Sequence, residues 1–346
     1  MNVKLGFCAV MAIMLLACTA AAAGPENVLV VMNGLSEDSI AVSKYYAAKQ
    51  GIERKYICKI YCTYNEVIDD EDFENSIRKP IRQYLLETGL KGQIDYIVLT
   101  KGVPIRTKQH WGVDSALVCL FHDYNTKRRN PYYSAEERFS HSKYQIYLVT
   151  RLDGLTVADA KALVDRSLAA KRRNGLFLID VAPGWDGASG YKPVNDGMRR
   201  AAKLLESKGF DVEFEDTKSY VSGSGLMGYY AWASNDGKYS QSTFNELRFL
   251  PGSIAEIAVS TSAFTLTSNR TLEGRRSYIT DLVAQGVTGV KGYVYEPFTP
   301  ALAVADILFD RYTSGYNLAD SFYAASRYIH WRGLVLGDPL CAPYRK

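Results

Sequence analysis

The feature that most constrains this chain is its alternation, from end to end, of short apolar runs with segments of helical period. The stretches 27–32, 56–61, 95–99, 145–150, 176–180, 210–214, 257–259, 287–295 and 333–336 are apolar runs, several of them near-continuous. Strands buried on both faces look like this. The segments between them carry helix start and stop chemistry. Ser36 is placed to cap a helix that Gly51 closes, and Thr156 opens another with a capping-box pattern. Acidic residues 69–72 suit the amino end of a helix running to Gly89, with Pro80 as a kink or a restart. Such alternation predicts an α/β fold with a doubly wound, mainly parallel sheet between two helical layers. No Pro/Ser-rich linker interrupts it, so 25–346 is expected to be one domain, with two lobes, 25–175 and 176–346, as the natural subdivision.

Open parallel sheets place their sites at the carboxyl ends of the strands. Lys101 and Arg106 follow the run at 96–99, and Arg151 and Asp153 follow 146–149. Ser262 follows 256–259, Glu296 follows 290–295 and Asp338 follows 334–336. If all these strands point the same way, these residues share one edge. Arg106 and Arg151 would then suit a bidentate carboxylate or phosphate, with Asp153 and Glu296 holding the guanidiniums. Tyr230, Trp232 and Tyr295 would supply flat faces for a sugar or peptide group. The 25 tyrosines favour such a surface.

Other patterns carry less. The segment 219–236 is rich in Gly, Ser and aromatics and is expected on a rim. Within it, residues 223–228 match G-x-G-x-x-G, but Tyr229-Tyr230-Ala231-Trp232 is a poor helix start, so no dinucleotide and no other cofactor is expected. Cys119 and His122 are three apart, yet Val118 and Leu120 flank the thiol, which favours packing. His330 beside Trp331 is likewise expected to pack. Cys58 and Cys62 lie four apart on one strand, roughly 13 Å, too far to bond each other. The cysteines and the four histidines show no zinc spacing. A net charge of +4 is too small for a nucleic-acid binder of this size, although KRRN occurs at 127–130 and again at 171–174.

Residues 1–23 have the make-up of an export signal: Lys4, an apolar stretch at 5–16 too short to span a bilayer, then small residues. Cleavage near Ala23 and lipidation of Cys18, after Leu15-Leu16-Ala17, are the alternatives. The mature chain is expected in the periplasm or as an outer-membrane lipoprotein, touching a membrane only through that lipid.

Several motifs together carry a resemblance. VLVVMNGLSEDSIAVSKYYAAKQGI near the start, YIVLTKGVPIR at 96–106 and YLVTRLDG at 147–154 are three of them. YYAWAS at 229–234, GYVYEPF at 292–298 and LVLGDPLCAPY at 334–344 are the others. The chain resembles the uncharacterised exported proteins of bacteria that carry the exosortase sorting system. The resemblance implies export and genomic company, not a reaction. A more distant resemblance is to the caspase-like, three-layer fold of gingipain-type cysteine peptidases, which also end in a Gly-Asp-Pro segment like 337–339. Those enzymes carry a catalytic His after one strand and a Cys after the next. Here 230–234 and 259–263 stand at these places with neither, so the thiolate and base of that mechanism are missing. The expectation is an exported pseudo-peptidase that binds a glycan or peptide through Lys101, Arg106, Arg151, Asp153, Tyr230, Trp232, Ser262, Tyr295, Glu296 and Asp338. The alternatives are a hydrolase or transferase using Asp153 or Glu296 as acid/base, and a non-catalytic envelope scaffold.

Overall fold

A computed structural model describes residues 23–122, 127–173, 175–217, 219–268 and 276–346. The proposed signal and Cys18 lie outside the described residues. Ten strands form one sheet: β1 (Val28–Asn33), β2 (Ile57–Ile60), β3 (Tyr96–Thr100), β4 (Leu148–Leu152), β5 (Leu176–Asp180), β6 (Val212–Glu215), β7 (Leu226–Ala231), β8 (Phe249–Ile257), which ends where the run 257–259 was expected to begin, β9 (Gly289–Tyr293) and β10 (Gly333–Leu336). Their order across the sheet is β2-β1-β3-β4-β10-β9-β8-β7-β5-β6. Helices flank the sheet: α1 (Glu37–Gln50), α2 (Lys79–Glu87), α3 (Val113–Val118), α4 (Val157–Leu168), α5 (Lys192–Ser207), α6 (Ile279–Ala284), α7 (Ala305–Thr313) and α8 (Leu318–Ala324). α1 packs on α4, and α7 packs between α5 and α8.

The helix boundaries follow their local chemistry. Ser36 Oγ accepts from Ser39 N, and Gly51 closes α1 at φ 70°, where a Cβ would be strained. Thr156 and Asp159 make the reciprocal capping box of α4. Pro80 sits in the first turn of α2, and the irregularity precedes it as a π-helical stretch, Glu74–Arg78.

One strand lies where a rim was expected. β7 occupies the centre of the second half and is fully buried, because its glycine is a packing requirement. A Cβ on Gly228 would fall 2.2 Å from the Phe177 ring. The G-x-G-x-x-G stretch therefore leads into a strand, without the helix amino terminus that a dinucleotide needs.

The sheet is parallel except at one seam. β10 runs antiparallel to β9, with Val290 opposite Leu336 and Tyr293 opposite Gly333. It runs parallel to β4, with Leu336 opposite Arg151. The first half (β2-β1-β3-β4) therefore points opposite to the second (β9-β8-β7-β5-β6). Both halves repeat one winding: β2-β1-β3-β4 and β6-β5-β7-β8. The carboxyl ends of the two sets consequently lie at opposite edges of the sheet, and the single edge expected from the sequence is two.

Candidate functional site

The first-half edge carries Lys101, Arg151 and Asp153, and most of their polar capacity is internal. Arg151, fully buried, donates to Asp114 at 2.7 and 3.2 Å, to Val103 O at 2.6 Å and to Pro104 O at 2.9 Å. Desolvation opposes its charge, but the carboxylates of Asp114 and Asp153 outweigh it and hold the guanidinium protonated. Asp153 accepts from Lys101 Nζ at 3.2 Å and from Gly154 N at 2.8 Å. Arg106 leaves this edge on a short strand, Arg106–Thr107, that pairs with Val67–Ile68. Its guanidinium lies 3.9 Å from the Phe264 ring centroid and donates to the Phe264 carbonyl. Beside it, Glu66 accepts from Leu266 N at 2.5 Å and Thr265 Oγ1 at 2.7 Å. These contacts bind the chain leaving β8 to the first half. The two arginines expected as a clamp are thus tie-points of the fold, because both face inward. Lys101 and Asp153 still border a cavity of ≈ 290 Å³ with Asp38, Tyr64 and Glu66.

Asp338 is also placed inside. The antiparallel β10 delivers it among helices, where it accepts from Tyr46 at 2.7 Å, Gln50 at 2.5 Å and Ser167 at 2.6 Å. Ser262 is buried, its Oγ accepting from Tyr293 N at 3.3 Å.

The second-half edge gathers the aromatics. Trp232 follows β7 and Ala258 follows β8. With Trp185, Tyr191, Asn235, Ser260 and the segment Glu296, Pro297, Phe298 they wall a cavity of ≈ 200 Å³. Trp185, Tyr191 and Trp232 form a three-ring wall, with centroids 4.8, 5.8 and 5.7 Å apart. Trp232 is only 2% exposed, and its Nε1 donates to Asn195 Oδ1 at 2.6 Å. Trp185 and Tyr191 are more open. Glu296 is exposed, its Oε1 capping Phe298 N at 2.9 Å. A second cavity of ≈ 210 Å³, lined by Val194, Tyr230, Ala303 and Arg327, shares Thr299 and Leu302 with the first. Of the ten residues expected to bind ligand, Trp232 and Glu296 meet in one pocket and Tyr230 borders its neighbour. Tyr295 sits just outside, stacked on His110 at 3.9 Å.

The wall between these two cavities is held from beneath by a charged network that the sequence reading passed over. Glu256 of β8 and Lys291 of β9 are paired in register and buried. Lys291 Nζ donates to Ala301 O at 2.9 Å and Ser326 Oγ at 2.8 Å. Glu256 Oε1 accepts from Tyr293 OH at 2.5 Å and Ala303 N at 3.3 Å, and Tyr230 OH donates to Ala303 O at 2.7 Å. Burial pushes Glu256 up to about 7 and Lys291 down to about 8. Asp180, at the end of β5, is pushed up to about 8 by burial. The available signal was a Glu and a Lys inside two otherwise apolar strands. Trp185 and Tyr191 could have been found as aromatics shortly after the run at 176–180.

Among the described residues no cysteine lines this pocket. The described cysteines, Cys58, Cys62, Cys119 and Cys341, are free and buried. Burial raises Cys119 to about 11, and the ring of His122 is engaged with Gln145 O at 2.7 Å. His330 stacks on Trp111 at 4.7 Å. Among the described residues no cluster of three or more His, Cys, Asp or Glu is arranged to hold a metal, and no helix is long and apolar enough to cross a membrane.

The architecture is an α/β fold of caspase-like type, and comparison with solved structures bears on that fold. The chain is similar to a solved protease at 13% identity, with TM-score 0.51, over 93% of this chain and 79% of that one. It is also similar to the complex of Porphyromonas gingivalis RgpB pro- and mature domains, at 11% identity and TM-score 0.49, over 91% and 79%. The mainly parallel sheet flanked by helices is shared with the first of these, and at 13% identity the likeness extends to the fold alone. No protein-family profile and no curated protein matches the chain.

Proposed function

We propose that this protein is a non-peptidase of caspase-like fold that binds a polar ligand, a glycan or a peptide segment, at the carboxyl edge of its second half. The observation that carries this reading is the three-ring wall of Trp185, Tyr191 and Trp232 at the ends of β5 and β7. Trp232 lies in the segment 230–234 that, by the resemblance, takes the place of a gingipain-type histidine. Flat rings beside Asn235, Ser260 and Glu296 suit a ligand with one apolar face and polar edges. Export through the segment 1–23, with or without lipid on Cys18, and company with an exosortase system belong to the same proposal. They rest on the signal-like amino terminus and on the quoted motifs.

The test is a tryptophan-fluorescence titration of the mature protein against neutral oligosaccharides and short peptides, repeated with Trp185→Ala and Tyr191→Ala. Saturable binding by the wild type that both variants weaken, with folding intact, is expected. Peptide cleavage that Cys119→Ser abolishes would overturn the reading.

A catalytic alternative draws on one observation, the Glu256 carboxyl held near neutrality behind the pocket wall. Glu296, rather than Asp153, is the acid/base residue this pocket would present, because Asp153 is bound to Lys101 and Gly154.

A further inference from the structure

Next to the aromatic pocket lies a ladder in which rings and cations alternate. His110 stacks on Tyr295 at 3.9 Å. The Arg332 guanidinium lies 4.9 Å from the Tyr295 ring and 4.8 Å from the Trp331 ring. Lys127 Nζ lies 5.0 Å from Trp331 and 3.7 Å from Tyr328. The KRRN cluster at 127–130 thereby acquires a place. Arg128–Arg129 pairs antiparallel with Tyr328–Ile329, which brings Lys127 beside the rings and leaves Arg129 exposed. The ladder is continuous with the pocket: Trp331 Nε1 donates to Pro297 O at 2.9 Å and Arg332 donates to Glu296 O. Pro297 and Glu296 are themselves pocket wall.

Structural cations usually face carboxylates. Lys127, Arg129 and Arg332 form no ion pair with any described residue. They are held half-exposed or exposed on the surface, two of them over ring faces, and the nearest carboxylate acting on Arg332 is the exposed Glu296 of the pocket wall. Fixed, unpaired cations beside a sugar-sized aromatic pocket call for a ligand with anionic groups outside its stacked ring. The chain's net charge is only +4, too small for a nucleic-acid binder of this size. A carboxylated polysaccharide offers both partners, sugar faces for the rings and a carboxylate for the cations.

We propose that the ladder from Tyr295 to Tyr328 extends the pocket into a binding surface for an anionic, uronate-type polysaccharide, with Arg332 and Lys127 receiving its carboxylates. This rests on the pocket reading above and gives it a ligand class.

The experiment is calorimetric titration of the mature protein with hexagalacturonate, with its methyl ester, with a single-stranded DNA decamer and with poly-glutamate. Hexagalacturonate is expected to bind at least 10-fold tighter than the ester, and the difference should shrink as salt is raised. Arg332→Gln with Lys127→Gln should remove that difference. Trp185→Ala should weaken both sugars. Lys127→Gln alone, at a half-exposed position, preserves the test if Arg332→Gln does not fold. Equal binding of acid and ester that Trp185→Ala still weakens overturns the ladder and leaves the pocket reading standing. Failure of both sugars to bind overturns the polysaccharide assignment. So does DNA or poly-glutamate binding as tightly as hexagalacturonate.

Discussion

Trp232 Nε1 donates to Asn195 Oδ1 at 2.6 Å, and that bond joins the end of β7 to the first turn of α5. Asn195 in turn donates to Ala182 O and to Asp186. The indole is therefore part of the pocket's frame, and Trp185 and Tyr191 are its open faces. An exposed Trp232 would have made its truncation a pure binding test, and burial removes that simplicity. Trp232→Ala is expected to cost about 3–5 kcal/mol of stability, whereas Trp185→Ala should cost about 1 kcal/mol and act on binding. Urea denaturation of each variant, beside ligand titration, separates the two effects.

Arg151 is expected to matter to folding and not to ligand. Arg151→Met leaves the Asp114 carboxylate buried without its cation, and stability should fall by about 3–5 kcal/mol. Binding at the second-half pocket, on the opposite edge, should keep its wild-type affinity wherever the variant is folded.

The Glu256–Lys291 pair supplies a pH-dependent test. The ammonium is the main charge favouring the ionised carboxylate, against desolvation. In Lys291→Met, Glu256 should therefore hold its proton to a higher pH than about 7. The destabilisation should grow as pH rises from about 6 to about 9, because ionising the lone carboxylate costs most there. Adding Glu256→Gln should flatten that dependence. Chemical denaturation across pH checks both statements.

Asp180 offers an independent pH effect. Burial is the first cause of its rise to about 8, and Asp236, Glu215 and Glu213 add like charge. The folded state keeps this proton up to about pH 8, while the unfolded chain releases it near the ordinary carboxylate value. The stability it contributes is complete in acid and is lost as pH rises between those values. At pH 7 the difference is at most about 4 kcal/mol. Asp180→Asn should lessen the decline between about pH 5 and 8, since an amide oxygen can still accept from Val221 N.

The four described cysteines should be silent. All are buried, and burial raises their thiols to between about 11 and about 12. Maleimide labelling at neutral pH should modify none of them in the native state and all of them in denaturant. Cys119→Ser should leave ligand binding unchanged.

Much of the fold was legible because local rules carried it. Near-continuous apolar runs locate strands covered on both faces, and Ser36, Gly51 and Thr156 mark helix ends through their own backbone bonds. β7 was the exception. Its Gly228 was read as a loop residue, when it is the close approach to Phe177 that requires glycine. The rule that sites follow strands also found Trp232 and Glu296.

By itself, the sequence determined most of the strands and helices, β7 and the body of β8 excepted, since those choices follow from period and capping within a few residues. It also determined that a cysteine-peptidase dyad is missing, since that is a matter of composition at named positions. Strand direction was decided only by the tertiary structure. One antiparallel strand, β10, reverses the second half against the first, and no local pattern distinguishes a parallel from an antiparallel neighbour. That reversal sends Arg151 and Asp153 to one edge and Trp232 and Glu296 to the other. It also turned Arg106, Arg151 and Asp338 inward, since whether a charge meets solvent or a buried partner depends on residues far away in the chain, such as Phe264, Asp114 and Tyr46.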